Sequence, residues 1–338
     1  MRSIIWNAFL LAVLGVSPAM ASGYHVVQKI PVPGDGGWDL VTCDSRARRL
    51  YISHSTQTQV MDIDQLKLVG QVEGTNGAHG IALAPDLGRG FISAGRDNRV
   101  VIFDLNTLKS LGTVPAGENP DAILFDPASG RVFAFNGRSQ SATIFQAATG
   151  ELLVTPPLGG KPEFAVSDGH GGVYVNVEDK NLLLKINSRG MSIEARWPVA
   201  PCEEPSSLEM DRSTSRLFVG CGNKMMAVVN ARTGKVITTL PIGEHVDATV
   251  FDPQTSMIFN ANGEGTLTVI HEDAPDDYHV VETVPTQKGA RTVALDTATH
   301  RLFLPVAEFG PPEPATPEHQ HPRPSIVPGT FAILVVAP

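Results

Sequence analysis

"DAILFDPASGRVFAF", residues 121 to 135, reads as two short strands joined by a tight turn. Apolar side chains fill both halves, Asp126 opens the turn by bonding its own backbone, and an aromatic residue sits early in the second strand. The same pattern returns along the chain. Its first strand recurs at Asp39 to Asp44, His79 to Ala84, Glu163 to Asp168, Ser206 to Asp211, Asp247 to Asp252 and Arg291 to Asp296. With Asp121 to Asp126 this makes seven copies spaced 40 to 44 residues apart. Turns such as "DRSTSRLFVG" and "DTATHRLFLP" follow, then a third strand ("VVIFDL", "MAVVNA", "LTVIHE") and a fourth ("LGTVPA", "VITTLP", "HVVETVP").

Four short antiparallel strands in a unit of about 40 residues form a sheet that cannot bury both faces alone and must stack against its neighbours around an axis. The fold class expected is therefore all-β: one seven-bladed β-propeller with four antiparallel strands per blade. The seventh unit ends at "GTFAILVVAP" without a fourth strand of its own, and "YHVVQKIPVP" at Tyr24 to Pro33 matches the outermost strand "YHVVETVP" at Tyr278 to Pro285. The N-terminal strand is thus expected to close the last blade and remove an open edge.

Arg2, the apolar run Ile4 to Val16 and the small residues Ala19-Met20-Ala21 predict a secretory signal peptide over residues 1–21. That run is shorter than the roughly 20 residues a bilayer span needs, and no longer one follows. Residues 22–338 are then the propeller domain, periplasmic or secreted, with a Pro-rich insertion over residues 308–326. The formal charge of −9 disfavours a surface that tracks phosphates, so nucleic acid is not expected as a partner. Arg96, Arg99 and Arg138 are the nearest approach to a basic patch.

The Asp-Pro-x-x-x-x-x-Phe turns, the patterns "RLFVGCGNKMMAVVNARTGKVITTLPIG" and "GRVFAFNGRSQSATIFQAATGELLVTPPLG", and the ending "PGTFAILVV" resemble the YVTN-repeat β-propellers, nearest to exported YncE-like proteins. The tetrapeptide itself is degenerate, as Tyr51-Ile52-Ser53-His54 and Tyr174-Val175-Asn176-Val177. The resemblance spans the mature chain. It implies the fold and export, and no catalytic residues.

Superposing the repeats turns sequence positions into geometry. The residues leading into the innermost strands, Asp39, His79, Asp121, Glu163, Ser206, Asp247 and Arg291, should ring one mouth of the central channel. Four are acidic. They could support one another, Arg291 pairing with a carboxylate, or act together as a funnel for cations or a small ligand, because like charges in a low-dielectric cleft concentrate an opposite one. Turns between the second and third strands lie on the same face, bringing His54 there. In blade seven this turn is the Pro-rich insertion, which carries His319 and His321. So long a loop in a compact domain is usually functional or disordered.

Imidazole and carboxylate suit borderline divalent metals, so His54, His79, His319 and His321 form a candidate Cu or Zn site. Solvated surface histidines are the plainer reading of the last two, since no HExxH or CxxC spacing occurs. His170 and His300 fall in turns of the opposite face and His25 and His279 in strands, where structural roles are expected. Cys202 and Cys221 share one face of blade five and predict a disulfide if their α-carbons approach within about 7 Å. Cys43, in an apolar strand, reads as a small buried hydrophobe.

No GxSxG turn, P-loop or dinucleotide fingerprint is present. The function expected is a monomeric binding or scaffold propeller that presents its acidic, histidine-bearing mouth to a metal ion, a small molecule or a periplasmic protein. The competing expectation is a metal-dependent periplasmic enzyme, a hydrolase, lactonase or lyase, using the same face with the long loop as a lid.

Overall fold

A computed structural model describes residues 23–311 and 324–338. The signal peptide expected over residues 1–21 lies outside them. Seven four-stranded antiparallel sheets stand around an axis. Blade one is typical: Trp38–Asp44 is innermost, and Arg49–His54, Gln57–Asp62 and Lys67–Val72 follow outward in chain order. Blade seven alone breaks that order. Its Ala294–Asp296, Arg301–Val306 and Ala332–Ala337 are completed by His25–Pro31, which pairs antiparallel with Ala332–Ala337 from His25 opposite Ala337 to Pro31 opposite Ala332. The closing strand read from the repeated "YHVV" is therefore in place. Among the described residues no helix is long and apolar enough to cross a membrane.

The turns form as their sequences direct. Asp126 accepts from the Ser129 backbone N–H at 2.9 Å and from the Ser129 hydroxyl at 2.6 Å, and Asp44 accepts from Arg46 and Ala47 N–H at 3.1 and 2.8 Å. Each carboxylate thus takes up donors that the reversing chain would otherwise leave unpaired. Several of these residues also reach the next blade. Ser167 of blade four donates to Asp126 of blade three at 2.5 Å, and His300 of blade seven pairs with Asp252 of blade six at 2.6 Å.

The core lies between blades. Tyr51, Val60 and Val72 of blade one meet Ile81, Ile92 and Val101 of blade two, and Phe91 of blade two meets Phe145 of blade three with ring centroids 5.7 Å apart. Both faces of a sheet are covered this way, which is why second strands read as continuous apolar runs such as "RVFAFN". Each buried phenylalanine contributes about 1.5–3 kcal/mol through burial.

Candidate functional site

The seven innermost strands enclose an axial cavity of about 370 Å³, walled by side chains such as Leu40, Ile81, Ile123, Phe164, Leu208 and Val250. The residue just ahead of this wall is special in blades one to four. Pairing with the second strand slips between Trp38 and Val41, Ala78 and Ile81, Pro120 and Ile123, and Pro162 and Ala165. Asp39, His79, Asp121 and Glu163 therefore sit in successive irregularities of the ladder. A bulge releases a residue from strict in-and-out alternation and re-aims its side chain.

What gathers is a chain of alternating charges. His79 Nδ1 lies 2.5 Å from Asp39 Oδ2 and 3.8 Å from Asp121 Oδ1, so the imidazole stands between two carboxylates from the blades on either side. Asp39 also faces Arg291, whose Nη2 is 3.8 Å from Oδ1, while Arg291 Nε donates to Asp247 at 2.6 Å. Glu163 is held by Lys161 at 2.6 Å, and Lys161 also reaches Glu178 at 2.5 Å. Backbone contacts tie the ring together: Ser206 Oγ donates to the Val246 carbonyl at 2.7 Å and Thr292 Oγ1 to that of Asp39 at 2.9 Å. Gly95 makes room for the imidazole, since a Cβ there would lie 2.7 Å from His79 Cδ2 and Nε2.

Charge compensation within this network is incomplete. Burial, reinforced by the Asp39 charge, pushes the Asp121 carboxyl up to about 6, against the opposing pull of His79. Burial and the Asp121 charge push Glu163 up to about 8 although Lys161 is in contact. Burial also raises Asp247 despite Arg291. For His79, burial disfavours the cation, but the Asp39 hydrogen bond and the charges of Asp121, Asp39 and Glu163 outweigh it, and the imidazole is held protonated above its ordinary range. Carboxyls that burial and one another's charges hold above their ordinary range favour an added positive charge.

The seven mouth residues expected from the repeat fall into unequal roles. Asp39, His79 and Asp121 each offer one donor atom, all within 4.8 Å of one another. Asp247 and Arg291 pair, Glu163 answers Lys161, and Ser206 is occupied by a backbone carbonyl. His54 departs from the metal set proposed for it: it is buried, 1 % exposed, with Nδ1 2.9 Å from Gln59 Oε1 and its ring 4.1 Å from that of Phe331. Burial lowers its pKa, and it shares no cluster of metal-ligating side chains with His79 among the described residues. Its turn lies on the expected face, but the ring turns into the seam between blades one and seven.

His319 and His321 lie outside the described residues. The base of their loop is described: Phe309 bridges Ile326, Gly310 N–H donates to Ser325 O at 2.8 Å, and Phe309 packs on Trp38 at 5.9 Å, next to Asp39. Cys202 and Cys221 are joined in a disulfide with α-carbons 5.5 Å apart, which leaves no thiolate at Cys221. Cys43 is half-buried and lines the axial cavity, because the innermost strand has the channel rather than a neighbouring sheet on one side. Lys161 and Glu178 escaped the repeat argument. The signal for Lys161 was its place two residues before an acidic leading position.

No protein-family model matches the chain, and no curated protein does. Solved structures do. A chain of the Kuenenia stuttgartiensis hydrazine synthase is similar with a TM-score of 0.68 at 15% identity, covering 85% of this chain and 96% of that one. A chain from the crystal structure of a mitotic checkpoint complex is similar with a TM-score of 0.73 at 13% identity, covering 97% of this chain and all (100%) of that one. At such identities the likeness is one of fold, and propellers carry many functions.

Proposed function

We propose that the chain is an exported binding propeller of the YVTN-repeat, YncE-like type that takes a divalent metal ion, copper or zinc, at the mouth of its axial channel. The observation that carries this reading is the convergence of Asp39, His79 and Asp121 from three consecutive blades, with donor atoms within 4.8 Å of one another. One imidazole nitrogen and two carboxylate oxygens form a donor set that zinc and copper accept. The entering cation replaces the proton that His79 shares with Asp39, and it offsets the desolvation of Asp121 and the repulsion between Asp121 and Asp39.

A metal-dependent enzyme, such as a hydrolase, lactonase or lyase, is the second reading. It is favoured by the adjoining cavity of about 370 Å³, because three protein ligands leave a coordination position for water or substrate. For either reading the partner is a small molecule or a periplasmic protein.

The test is the metal content of the protein after equilibration with Zn²⁺ or Cu²⁺ and dialysis, compared with Asp121→Asn and His79→Ala. One equivalent lost in both variants, with folding intact by circular dichroism, supports the site. Equal content in all three proteins refutes it.

A further inference from the structure

We propose that blade six carries a second, separate metal site on its outer hairpin, in which His271, Asp273 and His279 hold a divalent transition-metal ion. This inference does not rest on the channel mouth. The mouth residues lead into innermost strands, whereas these three belong to the third and fourth strands of one blade.

The hairpin is built differently from its counterparts. Its strands Thr266–Ala274 and Asp277–Pro285 have nine residues each, against six in each of the third and fourth strands of blade one. His271 is the register partner of His279. Residues directly opposite in an antiparallel pair share a face with β-carbons about 4.5–5.5 Å apart. Asp273, two residues beyond His271, returns to the same face. The register slips between Glu272 and Ala274, so Asp273 occupies the bulge and its carboxylate is turned back over the pair.

Both rings are met. Asp273 Oδ1 lies 2.9 Å from His271 Nδ1 and Oδ2 lies 2.5 Å from His279 Nδ1, with the ring centroids 5.7 Å apart. One donor atom from each residue falls within 4.8 Å of the others. The backbone beneath is anchored from the other face. Glu272 is buried and accepts from Tyr278 Oη at 3.0 Å, and Tyr278 packs edge-on against Phe218 of blade five. A three-donor set on an anchored hairpin needs little rearrangement to take an ion.

Two imidazole nitrogens and one carboxylate oxygen suit Zn²⁺, Cu²⁺ or Ni²⁺, and are too few and too nitrogen-rich for Ca²⁺ or Mg²⁺. Binding through Nδ1 requires each ring to carry its remaining proton on Nε2, and a ring that is protonated beforehand releases one proton to solvent. His279 is 56% exposed and Asp273 40%, so the ion keeps at least one position for water or a donor from another molecule. The structural role that the strand position of His279 suggests is thereby replaced by that of a ligand.

The full chain is titrated with ZnCl₂ by calorimetry and, separately, loaded with one equivalent of Cu²⁺ for electron paramagnetic resonance. His279→Asn and Asp273→Asn are each made in an Asp121→Asn background, which removes the proposed mouth site so that the hairpin alone is read. The expected result is a Zn²⁺ affinity at least about tenfold weaker in both hairpin variants, in the range that losing a metal-supporting group produces. Nitrogen hyperfine coupling from two imidazoles should be present in Asp121→Asn alone and lost when His279→Asn is added to it. Metal-free melting temperatures should be the same in Asp121→Asn and in the two hairpin variants built on it, since the Asp273 and His279 side chains face outward. Unchanged affinity and an unchanged Cu²⁺ spectrum in the folded hairpin variants would overturn the site.

Discussion

Arg48 of blade one and Asp296 of blade seven meet across the seam of the ring. Arg48 Nη1 donates to the two carboxylate oxygens at 2.8 and 2.7 Å, while Nε and Nη2 of the same guanidinium hold Asp64. The Asp296 side chain has no solvent exposure and that of Arg48 is a quarter exposed. Burial alone would raise the Asp296 pKa, but hydrogen bonds from Thr299, Arg48, Ser45 and the Ala298 N–H outweigh it and lower it. Its stabilising contribution is therefore present above the unfolded carboxyl value of 3.8 and lost as pH falls through the folded value. Arg48→Ala should cost about 1–3 kcal/mol in urea unfolding, less than a fully buried pair because the arginine is partly solvated. A change under about 0.5 kcal/mol, the scale of ordinary surface substitutions, would show that the seam does not depend on this pair.

The mouth should make stability fall with rising pH. Glu163 is raised from 4.5 to about 8, chiefly by burial and by Asp121. The folded protein thus binds more protons than the unfolded chain between those values, and folding loses free energy as pH rises through them. Glu163→Gln removes this dependence. In metal-free buffer its melting temperature, relative to wild type, should climb from pH 5 to about pH 8 and level off above that. A pH-independent difference would mean that Glu163 is ionised throughout that range.

Cys202→Ser/Cys221→Ser should lower stability by about 3 kcal/mol, the loop-entropy value for a bridge spanning 19 residues. Chemical denaturation of the double variant beside oxidised wild type reads this directly. Equal midpoints would assign the bridge no role in global stability.

Deleting Tyr24 to Pro33 should destabilise the whole ring rather than fray one edge. His25–Pro31 is the outer strand of blade seven, Ile30 and Val32 are buried in the core between blades seven and one, and the Tyr24 ring packs 4.9 Å from Phe259 of blade six. Calorimetry should show a lower, single transition. An unaltered melting temperature would mean that the blade closes without this strand.

Most of the architecture was legible in the residues because the repeat is periodic and its punctuation is chemical. Asp126, Asp211 and Asp296 mark the same turn in three blades, and a repeated "YHVV" identifies the closing strand. The mouth was legible as a list of positions, since each blade repeats the same geometry, but not as partners. That His79 joins Asp39 and Asp121, while Arg291 turns to Asp247, depends on side-chain directions within ladder irregularities that periodicity does not encode. His54 shows the limit of the method: the repeat located its turn, and packing against Phe331 decided where its ring went. The blade-six hairpin was hidden for the opposite reason. Its strands exceed the repeat, so "HEDAPDDYH" had no counterpart with which to be aligned.

The blade-seven seam has a consequence for how the molecule is made. His25–Pro31 is synthesised long before Ala332–Ala337, its ladder partner, so it must wait for that strand while six blades form from local hairpins. Closing so distant a contact is slow, because the entropy of a long loop is lost before the pairing rewards it. During that delay each nascent arc exposes one orphan strand and one incomplete sheet that fit those of any other copy. A concentrated refolding mixture is accordingly where strand-swapped oligomers should accumulate, with one chain's first strand completing another's last blade.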